Sequence, residues 1–291
     1  MTSDDREAGS DVPPAGTLPP ERATREDLAV ELENIASEIA IEAAELVGRS
    51  AERSSLDVDA KKSPNDLVTD VDRAAEALIV GRLAERRPDD AVLGEEGTNR
   101  PGTSGVRWVI DPIDGTTNFV YRFPGFAVSI AAEIEGSVVA GAVMDPTADA
   151  LFTARAGGPA TRNGQVLSIG DPPPLGTALI GTGFNADLDL RRRQATLAAR
   201  LLPEIRDLRR RGAASTDLCS VACGELDAYY EEGLSPWDHA AGALIAERAG
   251  AKVGDLEGGP AGTHFVLVAP EPLFVGLRSA LLEFGALHGG R

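Results

Sequence analysis

Residues 108–118 read W-V-I-D-P-I-D-G-T-T-N, and this stretch decides how the chain is interpreted. Three apolar residues lead directly into two aspartates, Asp111 and Asp114, and then into Gly115. A short apolar run of this kind is typical of a buried strand, and loops at strand ends are where chemistry is positioned on a rigid scaffold. The stretch therefore predicts a functional site at the end of a buried strand.

Two further acidic groups interrupt apolar segments: Glu95 follows residues 91–93, and Asp238 follows Trp237. If these carboxylates converge, their repulsion must be offset, since two unit charges 4 Å apart cost about 4 kcal/mol at an effective dielectric near 20. Oxygen ligands without a convergent His or Cys favour Mg²⁺ or Mn²⁺ over zinc. A carboxylate shared between two ions is what a two-metal hydrolytic centre requires.

The residues after Asp114 predict an anion site beside those carboxylates. Gly115 lets the backbone approach a ligand closely, and Gly115 and Thr116 would open a turn with free N–H groups. Metal ions on one side and backbone donors on the other would cradle a phosphate monoester.

Composition excludes several classes of function. The chain has 291 residues, 43% of them hydrophobic, and a formal net charge of −18. This charge repels nucleic acid and anionic lipid, so neither is expected as a partner. No apolar run approaches the roughly 18 residues that a membrane span needs, and the N-terminal residues lack a signal-peptide pattern. Cys219 and Cys223 are interpreted as small core thiols, with a metal clip or a disulfide as the alternatives, and a reducing cytoplasm is expected.

The pattern along the chain predicts a tail and one domain. Residues 1–26, rich in Pro and polar residues, are expected to be disordered, and residues 27–291 to form a single domain. Apolar spacing predicts a first helix from Leu28 that ends at Gly48. An antiparallel-rich lobe is expected to about residue 172 and an α/β lobe after it. Residues 126–134 alternate as in a strand, with Val128, Ile130, Ala132 and Ile134 on one side.

Four motifs resemble those of the inositol monophosphatase family, whose members are metal-dependent, lithium-sensitive phosphatases. They are D-L-V-T-x-x-D at 66–72, G-E-E at 94–96, D-P-I-D-G-T-T-N-F at 111–119 and W-D-x-A-A-G at 237–242. The similarity extends from about residue 28 to 282, and R-R-G at 210–212 with D-A-Y-Y-E at 227–231 looks most like the bacterial branch. The resemblance implies a layered αβαβα fold of the α+β or α/β class, a homodimer, and a small phosphorylated polyol, inositol 1-phosphate above all, as substrate.

The resemblance also implies a role for each matching residue. The ligands of two or three Mg²⁺ ions, or of Mn²⁺, would be Glu95, Asp111, the carbonyl of Ile113, Asp114 and Asp238. The attacking water would be oriented and deprotonated by Asp72, Thr116 and Glu95. The phosphate would be held by Gly115 and Thr116, and the substrate would be bordered by Asp114, Ala214, Glu231 and Asp238, with Glu231 accepting a hydrogen bond from a sugar hydroxyl.

Several alternatives stay open from the sequence. Asp238 follows Ser235 and Pro236 in a helix-capping pattern, and Asp72 could be an ordinary acid of a first helical turn. Glu96 would either support Glu95 or face solvent. Histidinol phosphate is the alternative substrate, and a regulatory protein that keeps the fold without catalysis is the alternative function.

Overall fold

Five alternating layers of helices and sheets build the molecule, with three apolar cores between them. The computed structural model describes residues 20–51, 56–61 and 66–286, with side chains from residue 25 onward. The helices are α1 (Pro20–Ala51), α2 (Asp70–Arg86), α3 (Thr116–Val120), α4 (Leu188–Leu201), α5 (Ala214–Ala222), α6 (Pro236–Arg248) and α7 (Glu271–Glu283). Short 3₁₀ turns cover Leu175–Thr177 and Leu202–Glu204.

The strands form a two-stranded ribbon and two larger sheets. They are β1 (Val58–Ala60), β2 (Leu67–Thr69), β3 (Ala91–Gly94), β4 (Asn99–Arg100), β5 (Val106–Asp114), β6 (Ala127–Ile134), β7 (Ser137–Asp145), β8 (Ala150–Arg155), β9 (Thr161–Arg162), β10 (Gln165–Val166), β11 (Leu179–Thr182), β12 (Asp207–Arg209), β13 (Ala228–Glu232), β14 (Lys252–Gly254) and β15 (Phe265–Ala269). The eight-stranded sheet has the order β10-β9-β8-β7-β6-β5-β3-β4, and the five-stranded sheet β12-β11-β13-β15-β14.

The layers follow from which faces are apolar. Helices α1 and α2 cover one face of the large sheet, and α5 and α6 lie between its other face and the small sheet. Helices α4 and α7 cover the outer face of the small sheet. This is the αβαβα order expected from the sequence.

Strand β6 shows the predicted alternation, and both of its faces are buried. Val128 and Ile130 belong to the core with α1 and α2, whereas Ala127 and Ala131 belong to the core with α5 and α6. Alternation therefore sorts residues between two cores.

The first helix is longer than its apolar pattern predicts. It begins at Pro20, inside the stretch assigned to the tail, and runs through Gly48 to Ala51. A single glycine is tolerated within a helix at a cost of about 1 kcal/mol, which the packing of α1 against the large sheet offsets. The rest of the predicted tail, residues 1–19, lies outside the described residues.

Three smaller features of the described residues complete the fold. Asn163 and Gly164 both have positive φ and join β9 to β10 in a two-residue hairpin. Cys219 is buried and Cys223 half-buried, and both are free thiols. Within the described part of the chain, no helix is both long and apolar enough to cross a bilayer.

Candidate functional site

Parallel pairing of β3 and β5 brings two of the acidic segments to one edge of the large sheet. Gly94 at the end of β3 is in register with Ile110 on β5, and the N–H of Glu95 donates to the carbonyl of Ile110 at 3.3 Å. Glu95, the first residue after β3, therefore lies beside Asp111 on β5. The repeated order of apolar strand and then acid is the sequence signal that predicted this meeting.

A bulge in β5 turns Asp111 and Asp114 into the site. The pairing with β6 shifts register between these two residues, and the N–H of Ile113 donates to Asp111 Oδ1 at 3.0 Å. Asp111 is 1% exposed and Asp114 8%. Burial, reinforced by the charges of Glu95, Asp114 and Asp238, raises the pKa of Asp111 well above its ordinary value.

Asp114 is anchored by the start of α5. The N–H and hydroxyl of Ser215 donate to Asp114 Oδ2 at 2.7 and 2.5 Å. Burial raises the pKa of Asp114 to about 6, although these hydrogen bonds act against the shift. No local pattern in the sequence marks Ser215.

Gly115 has the backbone conformation that its position requires. Its φ is 91°, and a β-carbon there would lie 3.0 Å from the Ala213 side chain and 3.2 Å from the Gly125 carbonyl. A side chain would thus be strained in conformation and crowded by neighbours. The turn is secured by Asn118, whose amide donates to the carbonyls of Gly125 at 2.6 Å and Arg211 at 2.8 Å.

Asp72 caps a helix and also contacts Thr116 at the site. Its Oδ2 accepts hydrogen bonds from the N–H and hydroxyl of Thr69 at 2.8 and 2.5 Å, which completes a capping box at the start of α2. Its Oδ1 accepts the hydroxyl of Thr116 at 3.2 Å. Burial raises the pKa of Asp72.

Asp238 likewise caps a helix and faces the site. Its Oδ2 accepts the N–H of Ser235 at 2.7 Å at the start of α6. Burial and the charges of Asp114 and Glu95 raise its pKa well above the ordinary value. The capping interpretation and the site interpretation are therefore compatible.

Glu231 lies at the other end of the site, on β13. It is 8% exposed and accepts a hydrogen bond from the hydroxyl of Tyr229. Burial raises its pKa to about 7, with the charge of Asp114 acting in the same direction and Tyr229 and Arg210 against it.

These residues meet around one cavity of about 210 Å³. Seven of the ten predicted site residues line it: Glu95, Asp114, Gly115, Thr116, Ala214, Glu231 and Asp238. The other three lie directly behind, since Asp72 and the carbonyl of Ile113 accept the Thr116 hydroxyl and Asp111 lies beside Glu95. The wall also includes residues without a predicted role, notably Gly183, Arg210 and Asp217.

Carboxylate oxygens are the ligands that a hard cation prefers, although these side chains do not surround a single ion position. In the described residues no group of three or more His, Cys, Asp or Glu side chains is already arranged to hold a metal ion. Asp111, Asp114 and Asp238 each use one oxygen for an anchoring hydrogen bond. Buried oxygen donors that raise one another's pKa fit a divalent cation such as Mg²⁺.

Lys61 is the cation that neutralises Glu95 here. Its ammonium lies 2.8 Å from the Glu95 carboxylate and 2.6 Å from that of Glu96. Only 7% of the Glu96 side chain is exposed, so the expectation that it faces solvent is wrong. Lys61 was missed because a lysine in a polar loop has no distinguishing sequence pattern.

Known proteins resemble this chain in sequence and in fold. A model described as the inositol monophosphatase family matches residues 29–282. Inositol-1-monophosphatase SuhB of Mycobacterium tuberculosis is 45% identical over 277 residues, which cover 88% of this chain and 95% of that protein. Nus factor SuhB of Escherichia coli K12 is 40% identical over 231 residues, covering 78% and 85%. The crystal structure of extragenic suppressor protein suhB from Bartonella henselae superposes with a TM-score of 0.81 at 35% identity, covering 85% and 97%.

Proposed function

The chain belongs to the inositol monophosphatase family, a family of phosphatases, and from this premise we propose that it hydrolyses inositol 1-phosphate or a closely similar polyol phosphate with divalent cations. One observation supports this proposal most strongly. Glu95, Asp114 and Asp238 line the same cavity as the Gly115–Thr116 turn. Carboxylates that attract cations and a turn that offers N–H groups are the two complements of a phosphate monoester.

The metal ligands in this proposal are Glu95, Asp111, the Ile113 carbonyl, Asp114 and Asp238. Mg²⁺ is the ion best suited to this oxygen donor set, with two or three ions expected and Mn²⁺ as a substitute. When bound, the cations would lower the pKa of a water molecule and stabilise the leaving oxygen. The anchoring hydrogen bonds to these carboxylates fix their positions before any ion arrives.

Thr116 and Asp72 are proposed to orient the attacking water. The single proton of the Thr116 hydroxyl can be donated to Asp72 Oδ1 or to the Ile113 carbonyl, at 3.2 and 3.1 Å, and the lone pairs of the hydroxyl stay available to accept from a water. A raised pKa makes Asp72 a better proton acceptor near neutral pH. The pair would thus hold the water in line with the phosphorus and take up its proton through the hydroxyl.

Glu231 and Ala214 are proposed to border the leaving group. Glu231 lies in the cavity wall opposite the acidic strand ends, and a carboxylate there can accept a hydrogen bond from a ring hydroxyl. The small side chain of Ala214 leaves room for the ring. Histidinol phosphate, whose ammonium group would face Glu231, is the alternative substrate.

A role in transcription is the second candidate, since the Escherichia coli relative is named a Nus factor. The net charge of −18 disfavours direct contact with nucleic acid, so such a role would need a protein partner. This chain keeps every acidic residue assigned to the metal site, together with Asp72 and Thr116. A protein without catalysis would have no need of that complete set.

Phosphate release tests the proposal. Inositol 1-phosphate, histidinol phosphate, fructose 1,6-bisphosphate and adenosine 3′,5′-bisphosphate would be compared at equal concentration with Mg²⁺, with Asp111→Asn as the inactive control. We expect inositol 1-phosphate to give the highest kcat/KM. A higher kcat/KM for histidinol phosphate would make that compound the proposed substrate instead. If none of the four compounds were hydrolysed, the proposal that the protein is a phosphatase would be refuted.

A further inference from the structure

Glu76 is a buried carboxylate on α2 for which the proposed reaction has no use. It is 4% exposed and lies one helical turn after Asp72. Its Oε2 accepts the N–H of Glu96 at 2.8 Å, and its Oε1 accepts the N–H and the hydroxyl of Thr98 at 3.1 and 2.6 Å. All three hydrogen bonds go to the turn that contains Glu95.

The turn is built around this carboxylate. At Gly94 a β-carbon would lie 2.5 Å from Glu76 Oε2, so the glycine is what lets the carboxylate approach the backbone. The N–H of Gly94 donates to the Thr98 carbonyl at 2.8 Å, and Gly97 closes the turn with a φ of 107°. Glu95 thus lies between β5, which its own N–H contacts, and Glu76, which holds the residues after it.

We infer that Glu76 is a positioning residue, which holds the 94–98 turn so that the Glu95 carboxylate lies beside Asp111. This inference rests on the proposed function for the role of Glu95 as a metal ligand. Because Asp72 and Glu76 lie on one face of α2, the same helix carries the carboxylate that accepts from Thr116 and the one that fixes Glu95. Residues that orient a metal ligand typically change metal affinity by about 10- to 100-fold when they are replaced.

Glu76→Gln tests this with little change of shape. A side-chain amide has one acceptor oxygen and one NH₂ group, so either the Glu96 N–H or the Thr98 N–H must face a donor. The turn would then be released on one side. We expect Mg²⁺ and Mn²⁺ to bind the metal-free protein about 10-fold or more weakly, measured by titration calorimetry without substrate. At saturating metal, kcat should recover more fully than the apparent metal affinity.

Asp90→Asn is the matched control. Asp90 is 1% exposed and accepts hydrogen bonds from the Trp108 indole at 2.9 Å and the Ser104 hydroxyl at 2.6 Å, at the other end of β3. Its replacement should lower the melting temperature and leave metal affinity within about 2-fold of wild type. Thr98→Val, which removes one of the three hydrogen bonds, serves in place of Glu76→Gln if that variant does not fold, and should weaken metal binding several-fold.

Three results would overturn the inference. They are an unchanged metal affinity in a folded Glu76→Gln or Thr98→Val protein, an equal loss of affinity in Asp90→Asn, and a wild-type protein that binds neither ion. Failure of the proposed function looks different. In that case wild type would bind the ions and hydrolyse no phosphomonoester, while the affinity difference between Glu76→Gln and Asp90→Asn would persist.

Discussion

The Glu231 carboxylate occupies the space that a β-carbon would take at Gly183. Gly183 is buried in the loop after β11, and the two residues line the same cavity wall. The absence of a side chain at Gly183 is therefore a condition for the position of Glu231.

Gly183→Ala should displace Glu231 and impair selection of the leaving group. We expect kcat/KM for inositol 1-phosphate to fall roughly 10- to 150-fold, the worth of a charge-assisted hydrogen bond of about 1.5–3 kcal/mol. Hydrolysis of an aryl phosphate without hydroxyl groups should change little, because it makes no use of Glu231. An equal loss on both substrates would show that the loop supports the whole site.

Glu231→Gln tests the same contact from the other side. The variant should lose about as much as Gly183→Ala on inositol 1-phosphate and keep aryl phosphate turnover. Combined in one protein, the two substitutions should cost little more than either alone, because both remove a single interaction. Additive losses of kcat/KM would show that the two residues act independently.

Asp111→Asn should remove activity without unfolding the protein. An amide lacks the charge that attracts cations to the centre of the site, so turnover should fall by several orders of magnitude. The metal-free variant should melt at the same temperature as wild type or higher, since a buried repulsive charge has gone. More than a tenth of wild-type turnover in Asp111→Asn would contradict its assignment as a shared metal ligand.

Lys61→Gln should lower the stability of the metal-free protein and raise its affinity for divalent cations. Lys61 neutralises Glu95 and Glu96, so its loss leaves two half-buried carboxylates without a counter-charge. A divalent ion then meets no competing ammonium, and its affinity should rise by roughly 10-fold if the competing contact is worth 1.5 kcal/mol or more. Lys252→Gln, which breaks an exposed pair with Glu271, should alter neither quantity. Weaker metal binding in Lys61→Gln would instead make the ammonium part of the working site.

Stability of the metal-free protein should fall as pH rises from about 4 to 7. Carboxyls whose pKa values are raised in the fold include Asp114 at about 6 and Glu231 at about 7, together with Asp111 and Asp238, whose pKa values lie well above the ordinary range. The folded state therefore holds more protons than the unfolded chain in this window, and unfolding becomes easier as they are released. His239 acts in the opposite direction below about pH 6.5, because burial lowers its pKa to about 4.

Melting temperature measured across this range in EDTA checks the sign. We expect a decline of about 5 °C or more toward pH 7, which saturating Mg²⁺ should reverse because it binds the ionised carboxylates. The Asp111→Asn variant should show a shallower decline. A melting temperature that rises steadily with pH in EDTA would mean that the carboxyls are ionised in the metal-free fold.

The acidic strand ends were the most predictable part of the site. The apolar residues Val109 and Ile110 before Asp111 predict a buried strand that carries a functional acid. The same order of apolar residues and then an acid at Glu95 predicts that Glu95 and Asp111 lie close together. The layered fold was confirmed, whereas the role of each site residue stays a prediction. Lys61, Ser215 and Glu76 were beyond reach, because their partners lie far along the chain and no local pattern marks them. The bounds of α1 were wrong for a different reason: tertiary packing carries that helix through a glycine.

The core between the two sheets is shared by residues from both halves of the chain. Val143 and Phe152 from the first half pack in it with Leu218 and Ile245 from the second. A cut near residue 172 would therefore give two fragments, each exposing a sheet or helix face that the other covers. We expect the separate fragments to aggregate, and expression of both in one cell to restore a folded, active complex. Strand β5, which carries Asp111, lies in the first fragment and Asp238 in the second, so recovered activity would report that the two had reassembled.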